Sequence, residues 1–395
     1  MTTAIDRQVA DRIARHGPLH LDEVIDLALY DTQHGFYGSG VGSAGRRGDF
    51  LTSPEVGPLF GAVVARALDE WWSELGCPDP FTVIEAAAGV GTLALAVLQA
   101  EPACAPALTY VLVERSAALR QRQTEYLPLS DASLAFAPID PEQLATRADA
   151  LGQGPRVVSL PDLPAVSVVG VVMANELLDN LAFRLLEWRG NGWLEVRVGL
   201  AAAGPDPGAT TEAPTAGTDI ELVEVLVPAD APDVALAERL VPAPAIGARI
   251  PIQRQAAVWV ADALDRLERG RLVVIDYASD TADLATRPWT DWVRSYRDQA
   301  RGDALLADLG RQDLTCEVDE RQLSRVRRPD LVRDQAQFLA AYGLATLVDE
   351  GRRVWSERAH LGDLTALKAR SRVGEAEALT DPGGLGSFRV FEWRV

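Results

Sequence analysis

The sequence predicts an α/β protein: a seven-stranded, doubly wound, Rossmann-like sheet behind an N-terminal helical segment and carrying an inserted lobe. Three observations predict it. Two βα units follow one another between Phe81 and Tyr126, each an apolar, β-branched run followed by helical periodicity. Both runs are apolar on both faces, as strands of a covered parallel sheet must be. The first ends in a glycine turn, Gly89-Val90-Gly91, that opens a helix, and such a turn lets a ligand approach the backbone at the carboxyl end of a strand.

Taken in order, residues 1–75 read as an N-terminal helical segment with a lid loop. Ile13, Val24, Ile25 and Leu29 supply apolar faces, and Gly35 to Gly48 is a glycine-studded connection. A polar cluster at Gly48 to Glu55 then runs into an amphipathic helix. Thr52 and Ser53 suit its cap, Pro54 its first turn, and Glu55 the end where the helix dipole favours negative charge. Helical period continues from Leu59 to Trp72. Residues 76–395 read as the sheet domain. Its expected strands are Phe81–Glu85, Leu108–Glu114, Arg156–Leu160, Val168–Ala174, Arg271–Asp276, Ala345–Asp349 and Phe388–Trp393. Two stretches, about 182–255 and 279–335, read as insertions forming the lobe. The first holds a hairpin, Phe183–Trp188 and Trp193–Val198, around an Asn191-Gly192 turn. Ala201–Thr218, rich in Ala, Gly, Pro and Thr, reads as a loop.

A chain of 395 residues, 48% hydrophobic and 24% charged, is an ordinary globular protein with ample core. Its net charge of −19 argues against nucleic acid, which needs a basic face. Lys368 is the only lysine, which excludes a P-loop lysine. Cys77, Cys104 and Cys316 have no CxxC or metal spacing, and His16, His20, His34 and His360 are dispersed. The N-terminus, with Asp6 and Asp11 among its arginines, does not read as a secretory signal, and no apolar run is long enough for a bilayer. A cytoplasmic protein without a membrane or nucleic-acid partner is expected.

The chemistry concentrates at strand ends. Glu85 ends the first strand before the glycine turn, and Glu114 ends the second, 23 residues after Gly91. A carboxylate at Glu114 can accept hydrogen bonds from both ribose hydroxyls. A dinucleotide wants G-x-G-x-x-G, and here Ala94 stands in the third glycine's place. Glu85 would also repel a pyrophosphate. S-adenosylmethionine carries an ammonium and a sulfonium and no phosphate, so the charges favour it over NAD; a ligand-free turn is the plain alternative. Glu85, Gly89, Gly91 and Glu114 are therefore candidate cofactor residues, with Thr52 and Ser53 on the lid and Asp162 after the third strand. Asn175-Glu176-Leu177-Leu178-Asp179 follows the fourth strand. An amide and two acids there suit a guanidinium or an amine nucleophile, with Glu176 and Asp179 on one face if the segment is helical. A helix cap at Asn175 explains the same residues equally well.

Five segments together resemble the MidA-type methyltransferases. They are Gly48-Asp49-Phe50-Leu51-Thr52-Ser53-Pro54-Glu55 with Phe60-Gly61, Leu29-Tyr30-Asp31 with His34-Gly35-Phe36-Tyr37, Val113-Glu114-Arg115-Ser116 with Leu119-Arg120, Asn175-Glu176-Leu177-Leu178-Asp179, and Asp313-Leu314-Thr315 with Val318-Asp319. That family comprises bacterial relatives of the mitochondrial complex I assembly factor that methylates an arginine of a protein subunit. The resemblance implies a class I methyltransferase fold with an added substrate lobe and S-adenosylmethionine as donor. It also implies an arginine, or another nucleophile of a protein partner, as acceptor, oriented by Glu176, Asp179 and Asn175. Two departures stand out: Ala87 replaces the first glycine of the family's turn and Val90 its arginine. If Ala87 takes a positive φ, the cost is about 1 kcal/mol. A small-molecule O- or N-methyltransferase and a catalytically inactive assembly protein are the rival readings, with a nicotinamide dehydrogenase behind them. A homodimer stays open.

Overall fold

The computed structural model describes residues 2–39, 52–136, 153–201, 220–297, 300–302 and 304–395. Residues 40–51, with Asp49 of the expected lid, and nearly all of the 201–218 loop lie outside the described residues. The chain divides into two compact units. The larger comprises 44–178, 259–277 and 327–395; the smaller comprises 1–43, 179–258 and 278–326.

The larger unit is built on a seven-stranded sheet: β1 (Phe81–Ala86), β2 (Leu108–Val113), β3 (Arg156–Leu160), β4 (Val168–Asn175), β5 (Leu267–Asp276), β6 (Leu331–Asp334) and β7 (Arg389–Arg394). Their order is β6-β7-β5-β4-β1-β2-β3. Strands β3 to β5 across the sheet run parallel, and β7 runs antiparallel between β5 and β6. Every residue of β1 and β2 is buried, the consequence of runs apolar on both faces. Helix Pro58–Glu74 packs Phe60, Val64, Leu68 and Trp71 into one core with Val83, Tyr110 and Phe338. The chain moves outward from β1 to β3 and then crosses back to β4. The carboxyl ends of β1 and β4 therefore flank the switch point where open α/β sheets bind ligands.

Three expectations are corrected. Ala345–Asp349 is helical, inside Leu344–Arg358, because Leu344, Leu347, Val348 and Gly351 are buried at helical spacing. The remaining strand is β6, Leu331–Asp334, a half-exposed edge with only two apolar residues, within the stretch read as the second insertion. The 1–75 segment is also not one body. Helices Ala4–His16 and Leu21–Tyr30 bury their apolar faces in the smaller unit, whereas Pro58–Glu74 joins the sheet core.

The helix start is different too. Ser53–Val56 is a single turn; the chain extends through Gly57 before the long helix begins at Pro58. A residue preceding proline disfavours the α conformation, which breaks the helix there. Glu375 caps the new start, accepting the Leu59 N–H at 2.9 Å, and a Cβ on Gly57 would lie 2.3 Å from its carboxyl carbon.

In the smaller unit the expected hairpin forms: Arg184–Trp188 pairs antiparallel with Trp193–Leu200, with Trp188 opposite Trp193. Leu222–Pro228, Leu19–His20 and Arg249–Ile252 complete its five-stranded sheet. A second small sheet pairs Val293–Arg297 with Asp313–Cys316.

Candidate functional site

The turn after β1 holds three residues at positive φ: Ala87 (54°), Gly89 (53°) and Gly91 (87°). The third starts helix Thr92–Gln99. Beyond the Gly89 Cα there is open space, while a Cβ on Gly91 would meet Leu127 at 2.6 Å. Both backbone polar groups of Gly89 are held. Its N–H donates to Glu114 Oε2 at 3.0 Å, and its carbonyl accepts from Gln123 Nε2 at 2.8 Å. The other Glu114 oxygen accepts the Ser116 N–H at 2.7 Å. Glu114 is 8% exposed. Burial pushes its carboxyl up, opposed by the two N–H donors and by Arg120. Each of its oxygens retains a lone pair for a further donor.

Gln123 escaped the sequence reading. It is fully buried, and its Oε1 accepts the Ser159 hydroxyl at 2.6 Å, tying the turn to β3. The available signal was a glutamine four residues after Leu119, on the buried stripe of helix Ala117–Gln123.

Glu85 sits elsewhere than expected. It is 5% exposed and accepts from the Tyr110 hydroxyl at 2.7 Å and from the Ala94 N–H in the first turn of the following helix. Burial pushes its carboxyl up to about 7. Both partners are scaffold groups, so Glu85 braces the turn from behind, because a charge on a fully covered strand face is stable only when the fold itself satisfies it.

At the end of β4, Glu176 adopts φ 54°. Two left-handed non-glycine residues, Ala87 and Glu176, thus mark the ends of neighbouring strands, as strained backbone does at functional sites. Glu176 Oε1 accepts from Asn175 Nδ2 at 2.9 Å and from the Ser53 N–H at 3.2 Å. Asn175 Oδ1 is buried with no hydrogen-bond partner among the described residues. Asp276, ending β5, accepts the Leu178 N–H at 2.9 Å and the Tyr277 N–H at 3.0 Å. It too was missed, although it closes an apolar run as Glu85 and Glu114 do.

The same-face pairing of Glu176 with Asp179 does not occur. A left-handed residue cannot continue an α-helix, and only a 3₁₀ turn, Leu178–Asn180, follows. Asp179 is 3% exposed and falls in the smaller unit. There Tyr37 donates to Asn180 Oδ1 at 3.3 Å and to Asp313 at 3.0 Å, and Asn180 Nδ2 donates to Asp313 at 3.0 Å. Two of the resembling segments, those holding Tyr37 and Asp313, meet there through Asn180, the residue that follows a third.

Thr52 and Ser53 also change roles. Thr52 makes no side-chain cap bond; its carbonyl accepts the Glu55 N–H. The fully buried Ser53 hydroxyl donates to Gln335 Oε1 at 2.9 Å, so it belongs to the scaffold rather than to a cofactor. Glu55 instead faces the turn, accepting from the Thr92 hydroxyl at 2.8 Å. Asp162 is exposed in the bend after β3.

A sequence profile of S-adenosyl-L-methionine-dependent methyltransferases matches residues 63–335. The chain belongs to this family. The mitochondrial protein arginine methyltransferase NDUFAF7 homolog of Drosophila melanogaster is 28% identical over 205 residues, a match spanning 51% of this chain and 46% of that protein. NDUFAF7 of Mus musculus, also a mitochondrial protein arginine methyltransferase, is 25% identical over 389 residues, 94% of this chain and 83% of its own. A Burkholderia thailandensis protein solved with S-adenosyl-homocysteine bound superposes with a TM-score of 0.74 at 24% identity, covering 99% of this chain and 92% of that one. The fold is that of a class I methyltransferase, and the cofactor is S-adenosylmethionine. The residues present fit it. Gly89 opens onto space at the switch point, and Glu114 offers acceptors for a diol.

Proposed function

We propose that this methyltransferase acts on an arginine, or another nitrogen nucleophile, presented by a protein partner. One observation carries the reading. At the end of β4, beside the donor turn, a buried Asn175 Oδ1 with no partner among the described residues stands next to the Glu176 carboxylate. Buried acceptors seek donors, and an amide oxygen beside a carboxylate suits a planar cation or an amine. The relatives named as protein arginine methyltransferases support the same acceptor class.

Bound S-adenosylmethionine supplies an electrophilic methyl group on a sulfonium, and an in-line displacement there depends chiefly on positioning. Glu114 orients the ribose while it holds Gly89. Asn175 and Glu176 orient the attacking nitrogen, and Glu176 takes the proton it releases. Asp179, buried in the smaller unit, is left out of this step.

Calorimetric titration with S-adenosylmethionine, S-adenosylhomocysteine and NADH tests the donor, with heat expected for the first two only. Mass spectrometry of a lysate treated with isotopically labelled donor tests the acceptor. A labelled arginine peptide supports the proposal; label confined to the small-molecule fraction defeats it in favour of a small-molecule methyltransferase.

A further inference from the structure

The α-ammonium of the donor gains most from a carboxylate on the open side of the turn, since a charge-assisted hydrogen bond is stronger than a neutral one. Glu85 cannot supply it, since Tyr110 and Ala94 enclose its carboxyl behind the turn. Glu55 is placed differently. It is half-buried, and one carboxylate oxygen accepts from Thr92 at 2.8 Å, at the first residue of the helix that the glycine turn opens. The other oxygen has no partner among the described residues. The same short turn reaches the second half of the switch point, where the Ser53 N–H meets Glu176. Ser53–Val56 therefore spans from the end of β4 to the turn after β1.

Each end of the span is anchored. The Ser53 hydroxyl is fixed by Gln335, whose Nε2 donates to the Leu379 carbonyl at 3.1 Å. Beyond Gly57 the chain is fixed by Glu375 on Leu59. Glu55 is the carboxylate that this span carries over the turn. We propose that Glu55 binds the α-ammonium of S-adenosylmethionine, with Thr92 holding the carboxylate in place. The proposal rests on the donor assignment and adds a charged contact to it from outside the sheet.

The test compares three ligands by calorimetry on the intact chain: S-adenosylmethionine, S-adenosylhomocysteine, and 5′-methylthioadenosine, which keeps the adenosine and sulfur but lacks the amino acid. Glu55→Gln is expected to weaken the first two by roughly 10- to 100-fold, the worth of a hydrogen bond to a charged group, and to leave the third within about two-fold. Glu55→Asp, which keeps the charge on a shorter stem, is expected to recover part of the loss. Unchanged affinity for the first two overturns the proposal. An equal loss for all three also overturns it, since it marks Glu55 as a brace for the turn. If the unsubstituted chain itself gives no heat with S-adenosylmethionine, the donor assignment fails, a result distinct from either of these. Thermal unfolding of both variants checks that each is folded, and if Glu55→Gln is not, Glu55→Asp carries the comparison.

Discussion

Ser53 and Glu176 stand 123 residues apart in the chain, yet the Ser53 backbone N–H donates to the Glu176 carboxylate at 3.2 Å. The contact brings the start of the N-terminal turn to the end of β4. It uses the main chain, so substitution of the Ser53 side chain leaves it in place.

Ser53→Ala accordingly separates scaffold from site. It removes the hydroxyl that satisfies Gln335 Oε1, a fully buried acceptor. The expected loss of stability is about 1–3 kcal/mol, the cost of an unsatisfied buried polar group, with donor affinity nearly unchanged. Urea unfolding and calorimetry measure the two quantities. A fall in affinity at unchanged stability would return the hydroxyl to the donor site.

Glu114→Ala is expected to weaken S-adenosylhomocysteine binding by about 1.5–3 kcal/mol. It takes away the acceptor for the donor's ribose and releases the Gly89 and Ser116 N–H groups. Glu114→Gln keeps one acceptor oxygen and should lose less. Calorimetry that finds Glu114→Ala as tight as the unsubstituted chain rejects this role.

Ala87 holds φ at 54°, a conformation that costs an L-residue about 1 kcal/mol or more and glycine almost nothing. Ala87→Gly should raise the unfolding free energy by about 0.5–1 kcal/mol once the greater freedom of the unfolded glycine chain is subtracted. Its exposed Cβ makes the gain independent of core packing. Equilibrium denaturation yields the number, and a loss of stability refutes the strain.

Glu85 makes stability depend on pH. Burial raises its carboxyl from 4.5 to about 7, so the folded protein favours the protonated form. That contribution is fully present below about pH 4.5 and is lost as pH rises through 7, a change of about 3 kcal/mol at most. Glu85→Gln mimics the protonated state and should flatten this part of the profile. Urea midpoints at pH 5, 6, 7 and 8 compare the two chains, and parallel profiles would show that Glu85 does not titrate in this range.

Much of the fold could be read along the chain. Strands β1 and β2 are short runs apolar on both faces, and burial on both sides leaves no other pattern for them. The glycine turn and the strand-ending Glu114 were each legible as local features, whereas the hydrogen bond between Gly89 and Glu114, 25 residues apart, came only with the fold. Edge strand β6 was not legible, because an edge needs no apolar run, and Ala345–Asp349 misled because five residues cannot separate a strand from a buried helical face.

The class of sheet and the glycine turn follow from neighbouring residues, through runs apolar on both faces and through turn chemistry; the charge argument for the donor leaned on Glu85, which the fold turns inward. Which way each carboxylate faces was set by the packing of distant segments. Glu85 turned inward to Tyr110, Ser53 joined Gln335 from 282 residues away, and Glu55 came to Thr92 across the turn. Those outcomes rest on long-range packing and on the strong tendency of buried polar groups to find partners. No local pattern encodes which partner that will be.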